Sequence, residues 1–395
     1  MMTYGFSFLF TLALLKVSRT DFVPGCTSHA FPEIHKTATK FPSCFCDPYN
    51  DSENEVIVTC EFGATPADVK LASNLSLAAN KTVVQLRSIL MEIEFSRRFF
   101  KQMDISPTEI IIDSCPGDQR IMEIEDNAFE PFPNLEILSV VDCNLAKVPE
   151  AIVLLSKLRK LRLAVYVERI GKYDLINKCA LEELDLSENY YVNFVDEKAF
   201  ISLQHLEVLK LGRNDNLTST VFPAINRISS LRKLDLSDSN LNFIPDFAMK
   251  NLKNLIELNL SRNRFKTFSR NAFYGLTALK SLDLSQNELT TIDVNVFKWT
   301  KSIETLLFSK NHLNWLEKEI FNGLTNLREL KLDGNPSLCR ERQFVWPRKH
   351  KLLMNELHLL CPNLVQLKGE MVKKKDSTDF LSALLVTEYG PDIFN

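Results

Sequence analysis

Residues 255–263 read Leu-Ile-Glu-Leu-Asn-Leu-Ser-Arg-Asn. The pattern Leu-x-x-Leu-x-Leu-x-x-Asn in this stretch returns at 279–287, 303–311 and 327–335, with Ile and Phe replacing two leucines in the third copy. The four asparagines are therefore 24 residues apart. A phrase of this kind at a fixed period predicts a solenoid, in which each repeat forms one coil that stacks on the next.

The residue types at the fixed positions of one repeat have a physical explanation. Alternating apolar residues such as Leu258 and Leu260 predict a short strand whose inward side chains enter a core. One strand cannot bury its apolar face alone, so neighbouring coils must stack and their strands must form a parallel sheet. The asparagine follows where the chain leaves the strand, and its amide can both donate to and accept from backbone groups that the turn buries. The expected fold is of the α/β class, a leucine-rich-repeat solenoid with a curved parallel β-sheet on its concave side.

Weaker copies of the phrase extend the array towards the N-terminus. We count about nine clear repeats from Leu135 to Asn335, and two degenerate ones before them, around Val84-x-Leu86 and Ile110-x-Ile112. Cys115 and Cys143 stand where other copies have asparagine. Between the strands a phenylalanine recurs, as in Asn271-Ala272-Phe273, and we interpret it as packing of the outer core.

The N-terminal residues 1–20 are interpreted as a secretory signal peptide. Residues 6–15 form an apolar run of ten residues, which is too short to cross a bilayer and typical of a signal sequence. The alternatives are a membrane anchor or a buried strand. No later run of about 18 apolar residues follows, so no transmembrane helix is expected.

Composition and motifs argue against several functions. The chain has 45% hydrophobic and 25% charged residues and a formal charge of -3, so it has no basic excess with which to bind nucleic acid. Its six histidines lack metal-site spacing, and it contains neither a glycine-rich phosphate loop nor a serine nucleophile elbow. We therefore expect no catalytic residue, no metal site and no cofactor.

Two groups of cysteines flank the array. The first group is Cys26, Cys44, Cys46 and Cys60; the second is Cys339 and Cys361, introduced by Asn335-Pro336 and accompanied by Trp346. Both groups resemble the cysteine caps of secreted extracellular leucine-rich-repeat proteins, a build that Slit-like guidance proteins and Toll-type receptor ectodomains share. A zinc site at Cys44-x-Cys46 is the alternative, but no second Cys or His pair accompanies it.

The resemblance implies specific disulfides and a division of the chain. The implied bonds are Cys26–Cys46, Cys44–Cys60 and Cys339–Cys361, and each cap would cover an end of the sheet. Cys115, Cys143 and Cys179 are left over and are expected to be buried free thiols, with a Cys115–Cys143 bond as the alternative. The five predicted segments are a signal peptide (1–20), an N-terminal cysteine cap (21–82), the repeat array (83–335), a C-terminal cysteine cap (336–372) and a tail (373–395).

The main functional hypothesis is a secreted, non-enzymatic protein-binding module. Strand alternation turns one row of side chains out of the core, and its mixed charges favour a protein partner over a polyanion. This concave row comprises Ser139, Arg162, Asp185, Lys210, Asp235, Asn259, Asp283, Leu307 and Lys331. The aspartates in it are interpreted as the solvated face of the sheet. Glycosylation sequons, which require the secretory route, stand at Asn50, Asn74, Asn80, Asn216 and Asn259.

Two alternative functions remain open. One is an extracellular-matrix protein that binds glycosaminoglycan through a basic cluster near the C-terminus, formed by Arg340, Arg342, Arg348, Lys349, Lys351 and Lys373 to Lys375. The other is a non-catalytic subunit of a secreted enzyme, such as a luciferase complex. The identity of a protein ligand or receptor does not follow from the sequence.

Overall fold

A computed structural model describes residues 44–49, 52–61, 64, 67, 69–70, 81–87, 95–113, 115, 123–145, 147–314 and 316–339. The predicted signal peptide, most of the C-terminal cap and the tail lie outside these residues. So do Asn50, Asn74 and Asn80, and the basic residues proposed to bind glycosaminoglycan. None of the helices in the described part of the chain is long and apolar enough to cross a membrane.

One sheet of thirteen strands runs along the array, in the order β1-β2-β3-β4-β5-β6-β8-β10-β11-β12-β13-β14-β15. Its strands are β1 (Cys44–Tyr49), β2 (Ser52–Glu61), β3 (Lys81–Arg87), β4 (Glu109–Asp113), β5 (Ile137–Val141), β6 (Lys160–Ala164), β8 (Glu183–Asp185), β10 (Val208–Lys210), β11 (Lys233–Asp235), β12 (Glu257–Asn259), β13 (Ser281–Asp283), β14 (Thr305–Leu307) and β15 (Glu329–Lys331). Among these described strands, only the β1–β2 pair is antiparallel. The eleven strands from β3 to β15 in this sheet coincide with the nine clear and two degenerate phrases, so the predicted solenoid is confirmed.

Few other regular elements interrupt the coils. Two short strands, β7 (Arg169–Ile170) and β9 (Phe194–Val195), pair on their own. The described helices are α1 (Arg97–Met103), α2 (Phe222–Ile225) and 3-10 turns at Glu150–Leu154, Ser219–Val221, Lys318–Phe321 and Pro336–Cys339. We call the sheet face turned away from the core the concave face, and the segments across the core from it the convex side.

The core lies between the sheet and the convex side. Leu258 and Leu260, which flank Asn259 in β12, are 2% and 0% exposed. The recurrent phenylalanines, such as Phe129, Phe200 and Phe273, are fully buried as well. Each coil from β3 to β15 therefore contributes two apolar strand residues to a continuous core, and several coils add a convex aromatic ring.

The asparagines form a buried ladder along the end of the strands. Asn263 donates through Nδ2 to the carbonyl oxygen of Leu236 one coil earlier (2.8 Å) and to that of Leu260 in its own coil (3.1 Å). Its Oδ1 accepts from the backbone N–H of Leu241 at 2.9 Å. We call the position that asparagine takes at the end of the repeat phrase the asparagine slot. In the coils from β5 to β15 the residue before this slot has a positive φ; these residues are Asp142, Tyr166, Glu188, Arg213, Asp238, Arg262, Gln286, Lys310 and Gly334. The coil of β6 has one extra residue, so Val167 fills its slot.

Two disulfides are present in the described residues. Cys44 is bonded to Cys60 across the β1–β2 hairpin, as the cap resemblance implies. Cys115 is bonded to Cys143, so the expectation of free thiols there was wrong. Both cysteines take the asparagine slot in adjacent coils, and stacking of β4 on β5 brings their Cα atoms to 4.8 Å, within bonding range. Cys179 is free but exposed rather than buried. The Cys26–Cys46 and Cys339–Cys361 bonds stay predictions, because Cys26 and Cys361 lie outside the described residues.

Candidate functional site

The predicted concave row is continuous in the structure. Parallel pairing in register places each member beside the next, in the order Ser139, Arg162, Asp185, Lys210, Asp235, Asn259, Asp283, Leu307 and Lys331. All of these side chains are at least partly exposed. The row therefore exists as a surface, and its two halves have different chemistry.

In the second half, the acidic and amide side chains bond to their own strand ends. Asp235 and Asp283 each accept, through Oδ1, a hydrogen bond from the backbone N–H of the serine two residues later, at 2.9 and 2.8 Å. Asn259 accepts in the same way from the N–H of Ser261 (3.0 Å) and also from its hydroxyl (2.7 Å). The interpretation of the aspartates as a merely solvated face was therefore incomplete. They also satisfy backbone donors where the strand turns out of the sheet.

In the first half, charged side chains from three coils form a network around Glu183, Asp185 and Glu188. Lys210 Nζ lies 2.7 Å from Glu183 Oε1 and 3.6 Å from Asp185 Oδ2. Glu188 pairs with Arg213 at 2.6 Å and with Arg162 at 3.4 Å. We call Lys160, Arg162, Glu183, Asp185, Glu188, Lys210 and Arg213 the concave charge network.

The pairing of Glu183 with Lys210 favours the charged forms of both side chains. Burial by itself raises the pKa of Glu183, but the hydrogen bond and charge of Lys210, together with Lys160, outweigh it and leave the pKa below its usual value. Burial likewise lowers the pKa of Lys210, and the partners Glu183 and Asp185 overcome this and hold it above its usual value. Glu183 and Lys210 therefore stabilise each other's charged forms, and the network presents side chains of both signs within one short stretch.

A cluster of three tyrosines adjoins the network. Tyr166 lies 6.4 Å from Tyr190 and 6.1 Å from Tyr191, ring centre to ring centre. Tyr190 and Tyr191 are 41% and 55% exposed. Burial, and then the nearby charges of Asp142 and Glu188, raise the pKa of Tyr166. Tyrosines with an apolar body and a free hydroxyl are typical anchors at protein interfaces.

The sequence prediction missed this tyrosine cluster. Tyr166 occupies the left-handed position before the slot, with φ 62°. The other members of that series are polar residues or glycine, so an aromatic ring there was a usable signal. The structure also adds Glu183 and Glu188, which lie outside the predicted row but pair with Lys210 and Arg162 in it. Lys160 and Arg213 pair in turn with these two glutamates.

Of the two sequons in the described residues, Asn216 is the more accessible. Its side chain is exposed, and Nδ2 donates to the carbonyl oxygen of Tyr190 at 2.9 Å, so it lies next to the tyrosine cluster. Asn259 is half-buried in the row. No three His, Cys, Asp or Glu side chains in the described part of the chain are placed to hold a metal ion.

Comparison with known proteins gives relatives of the same build. Human Toll-like receptor 8 (Homo sapiens) is 35% identical over 156 residues, which are 38% of this chain and 14% of the receptor. Tsukushi from Gallus gallus is 28% identical over 161 residues, 40% of this chain and 43% of that protein. The structure of the Drosophila Toll - Spatzle complex matches 74% of this chain and 47% of that chain, with a TM-score of 0.51 at 17% identity, and so shares its fold.

The chain thus matches less than half the length of each of these relatives. A model for the Leucine rich repeat matches residues 229–289 and 278–336. A second model, for the BspA type Leucine rich repeat region (6 copies), matches residues 95–229. Together these models cover residues 95–336, more than half of the chain, which therefore belongs to the leucine-rich-repeat proteins and is related to the Toll-like receptors.

Proposed function

We propose that this chain is a secreted, non-enzymatic module that binds a protein partner through the first half of its concave face. The single observation that carries the proposal is that the exposed tyrosine cluster and the concave charge network adjoin on the coils of β6, β8 and β10. Glu188 pairs with two arginines of the network and also lies close enough to Tyr166 to affect its pKa. Aromatic anchors beside charged groups of both signs favour a folded protein partner.

The energetics of the network support this assignment. Arg162, Lys210 and Arg213 are between 39% and 54% exposed, so their ion pairs contribute little to the stability of the fold. A partner that covers the network excludes water and strengthens the same charges. The tyrosine rings supply apolar area at the edge, and the rest of the row supplies a rigid surface.

The second half of the row is less suited to an anchor. Asp235, Asn259 and Asp283 are engaged with their own serines, as Asp185 is with Ser187 in the first half. What distinguishes the second half is the sequon at Asn259, because a glycan there would obstruct close contact. The similar Drosophila structure is that of the Toll - Spatzle complex, and a protein partner for this chain is consistent with that. The basic residues of the glycosaminoglycan hypothesis lie outside the described residues, and no described feature favours an enzyme-subunit function.

The test begins with secretion of the tagged full chain from animal cells. We expect the chain in the medium, with a mass that falls on glycosidase treatment, and a captured partner identified by mass spectrometry. Tyr191→Ser should remove that partner from the captured material. Tyr173→Ser is the matched control, because Tyr173 is 62% exposed but lies away from the row, beside Lys172. Equal capture by both variants, or equal loss, would contradict the proposed surface.

A further inference from the structure

Three aromatic rings form a ladder on the convex side, across the core from the concave row. Tyr274 lies 5.0 Å from Phe247 and 4.8 Å from Trp299, ring centre to ring centre, with both pairs edge-to-face. Phe247 is 45% exposed, and the other two rings are half-buried. We call these three residues the convex aromatic ladder. They come from three consecutive coils and together form one apolar surface.

The backbone of Phe247 supports a role for its exposed ring. Its φ is +60°, in the left-handed region that bulky side chains rarely adopt. A bulky residue held there is strained relative to glycine or asparagine, and its exposed ring offsets little of that strain by burial. An aromatic side chain at this position is therefore better explained by a contact that it makes with something else.

Two lysines lie beside the ladder. Lys298 Nζ lies 4.9 Å from the ring centre of Trp299, and the backbone of Lys250 packs against Gly275, next to Tyr274. Neither lysine pairs with a carboxylate of the described residues. The nearby Asp246, in contrast, already accepts hydrogen bonds from two neighbouring side chains, Ser269 and Asn271. The ladder therefore suits an apolar segment that carries acidic residues.

The chain itself contains such a segment. Residues 376–395 have four acidic residues and neither lysine, arginine nor histidine; the acidic residues are Asp376, Asp379, Glu388 and Asp392. Between these lie apolar residues that include Phe380, Leu381, Leu384 and Leu385. We propose that the convex aromatic ladder is the docking site of the chain's own residues 376–395.

The connection is long enough. Residues 340–375 separate the last described coil from the segment, and 36 residues can span up to about 120 Å at 3.3–3.6 Å each. The ladder begins in the coil of β11, and strands in a sheet lie only about 4.8 Å apart, so β11 and β15 are about 19 Å apart along the array. A tether of this kind gives the segment a high effective concentration at the ladder.

Trp299 provides the readout in the full chain. With Trp315→Phe and Trp346→Phe, Trp299 is the only tryptophan. Adding Phe380→Asp and Leu384→Asp should shift its emission to longer wavelength and increase its quenching by acrylamide, because the docked segment no longer covers the indole. Ser377→Asp, which adds charge without removing an apolar group, is the control and should change neither quantity. Unchanged emission and quenching in the double substitution would overturn the proposal.

Phe247→Asn tests the same contact from the other side. Asparagine tolerates a positive φ, so this variant should keep its melting temperature, yet it should expose Trp299 to acrylamide as the tail substitution does. Phe243→Asn is the matched control, because Phe243 is 53% exposed but is not in the ladder. If both variants quench alike, the ladder is not the site.

Binding of a labelled peptide of residues 376–395 distinguishes docking of the chain's own segment from coverage of the ladder by a second copy of the chain. The peptide should bind the chain that carries Phe380→Asp and Leu384→Asp, bind it more weakly in high salt, and not bind once Phe247→Asn is added. Absence of binding would overturn the proposal. So would tryptophan quenching in the parent chain that depends on protein concentration, since that result would show that a second copy covers the ladder.

Discussion

The side-chain amide of Asn287 donates to the backbone carbonyl oxygen of Leu260, one coil earlier, at 2.9 Å. The same nitrogen donates to the carbonyl of Leu284 at 3.0 Å, and Oδ1 accepts from the N–H of Phe265 at 3.2 Å. Asn287 is 5% exposed. One buried side chain therefore satisfies backbone groups of two coils, which explains why the repeat phrase ends in asparagine.

Replacing that amide should destabilise the array strongly. Asn287→Ala leaves the buried N–H of Phe265 without its partner, at about 1 to 3 kcal/mol. The carbonyls of Leu260 and Leu284 each lose one of two side-chain donors, so we expect a total loss of about 2 kcal/mol or more. Urea unfolding followed by circular dichroism measures it. Asn254→Ala is the control, because its amide donates to Ser229 from an exposed position and should cost less than about 1 kcal/mol. Similar losses in both variants would refute a special role for the slot.

The Cys115–Cys143 bond should stabilise the first half of the array. It closes a separation of 28 residues, for which the loop-entropy model gives about 3.5 kcal/mol. Cys143→Ala should therefore lower the free energy of unfolding by an amount of that order, whereas Cys179→Ala, at an exposed free thiol, should leave it unchanged. Alkylation of the unreduced protein under denaturing conditions checks the bond directly. Labelling of Cys115 and Cys143 without prior reduction would contradict it.

The sequence predicts most of the fold because burial in a solenoid follows a fixed period. Leu258 and Leu260 had to face inward, so the strand positions and the outward row followed from alternation alone. The state of Cys115 and Cys143 did not follow, because a small apolar thiol and half of a disulfide suit the same buried slot equally well. Only the pairing of β4 with β5 brings the two residues together.

The candidate site was predicted less completely. The position of Arg162 and Lys210 in the row depends only on strand register. Their partners Glu183 and Glu188 lie in other positions of the coil. Which ion pairs form depends on how far the long side chains extend, and the repeat period does not determine that. The tyrosine cluster arises from one extra residue in the coil of β6, which puts Tyr166 in the left-handed position. A repeat phrase of fixed length does not predict a local insertion of this kind.

Lys178 should make stability depend on pH. It is 1% exposed, and its Nζ donates to the carbonyl oxygens of Leu155 (2.8 Å) and Val153 (3.1 Å). Burial lowers the pKa of Lys178 from 10.5 to about 8. Between these two values the unfolded chain binds more protons than the folded chain, so the free energy of unfolding rises with pH, by up to about 3 kcal/mol in total. Below pH 8 this contribution is absent.

The measurement is urea unfolding at several pH values from 7 to 10.5, with Lys178→Met as the reference. Methionine fills a similar volume and does not titrate, so the difference between the two chains isolates Lys178. The free energy of unfolding of the parent should rise relative to that of the variant across this window. A difference that does not change with pH would show that Lys178 keeps its ordinary pKa.

Gly275 should tolerate no side chain. Its φ is +98°, and a Cβ atom there would lie 2.5 Å from the carbonyl oxygen of Lys250 in the preceding coil. Gly275→Ala should cost about 2 to 4 kcal/mol, from the backbone conformation and the overlap together. Gly323 has a φ of +89°, but the nearest atom to its Cβ is 3.9 Å away. Gly323→Ala should therefore show the backbone cost alone, about 1 kcal/mol. Thermal unfolding of the two variants, compared side by side, would reject the close approach if the losses were equal.

Arg213 distinguishes the partner surface from the structural scaffold. It is 54% exposed, and its ion pair with Glu188 is replaceable by water, so Arg213→Ala should change the melting temperature little. If the first half of the row binds the partner, the guanidinium becomes desolvated in the complex, and its loss should weaken binding by about thirtyfold, as at an interface hot spot. Arg328→Ala, at an 81% exposed cation paired with Glu304 near the last strand, is the matched control and should bind normally. Binding measured by surface plasmon resonance decides the matter: weaker binding only in Arg328→Ala would move the partner surface to the other end of the sheet.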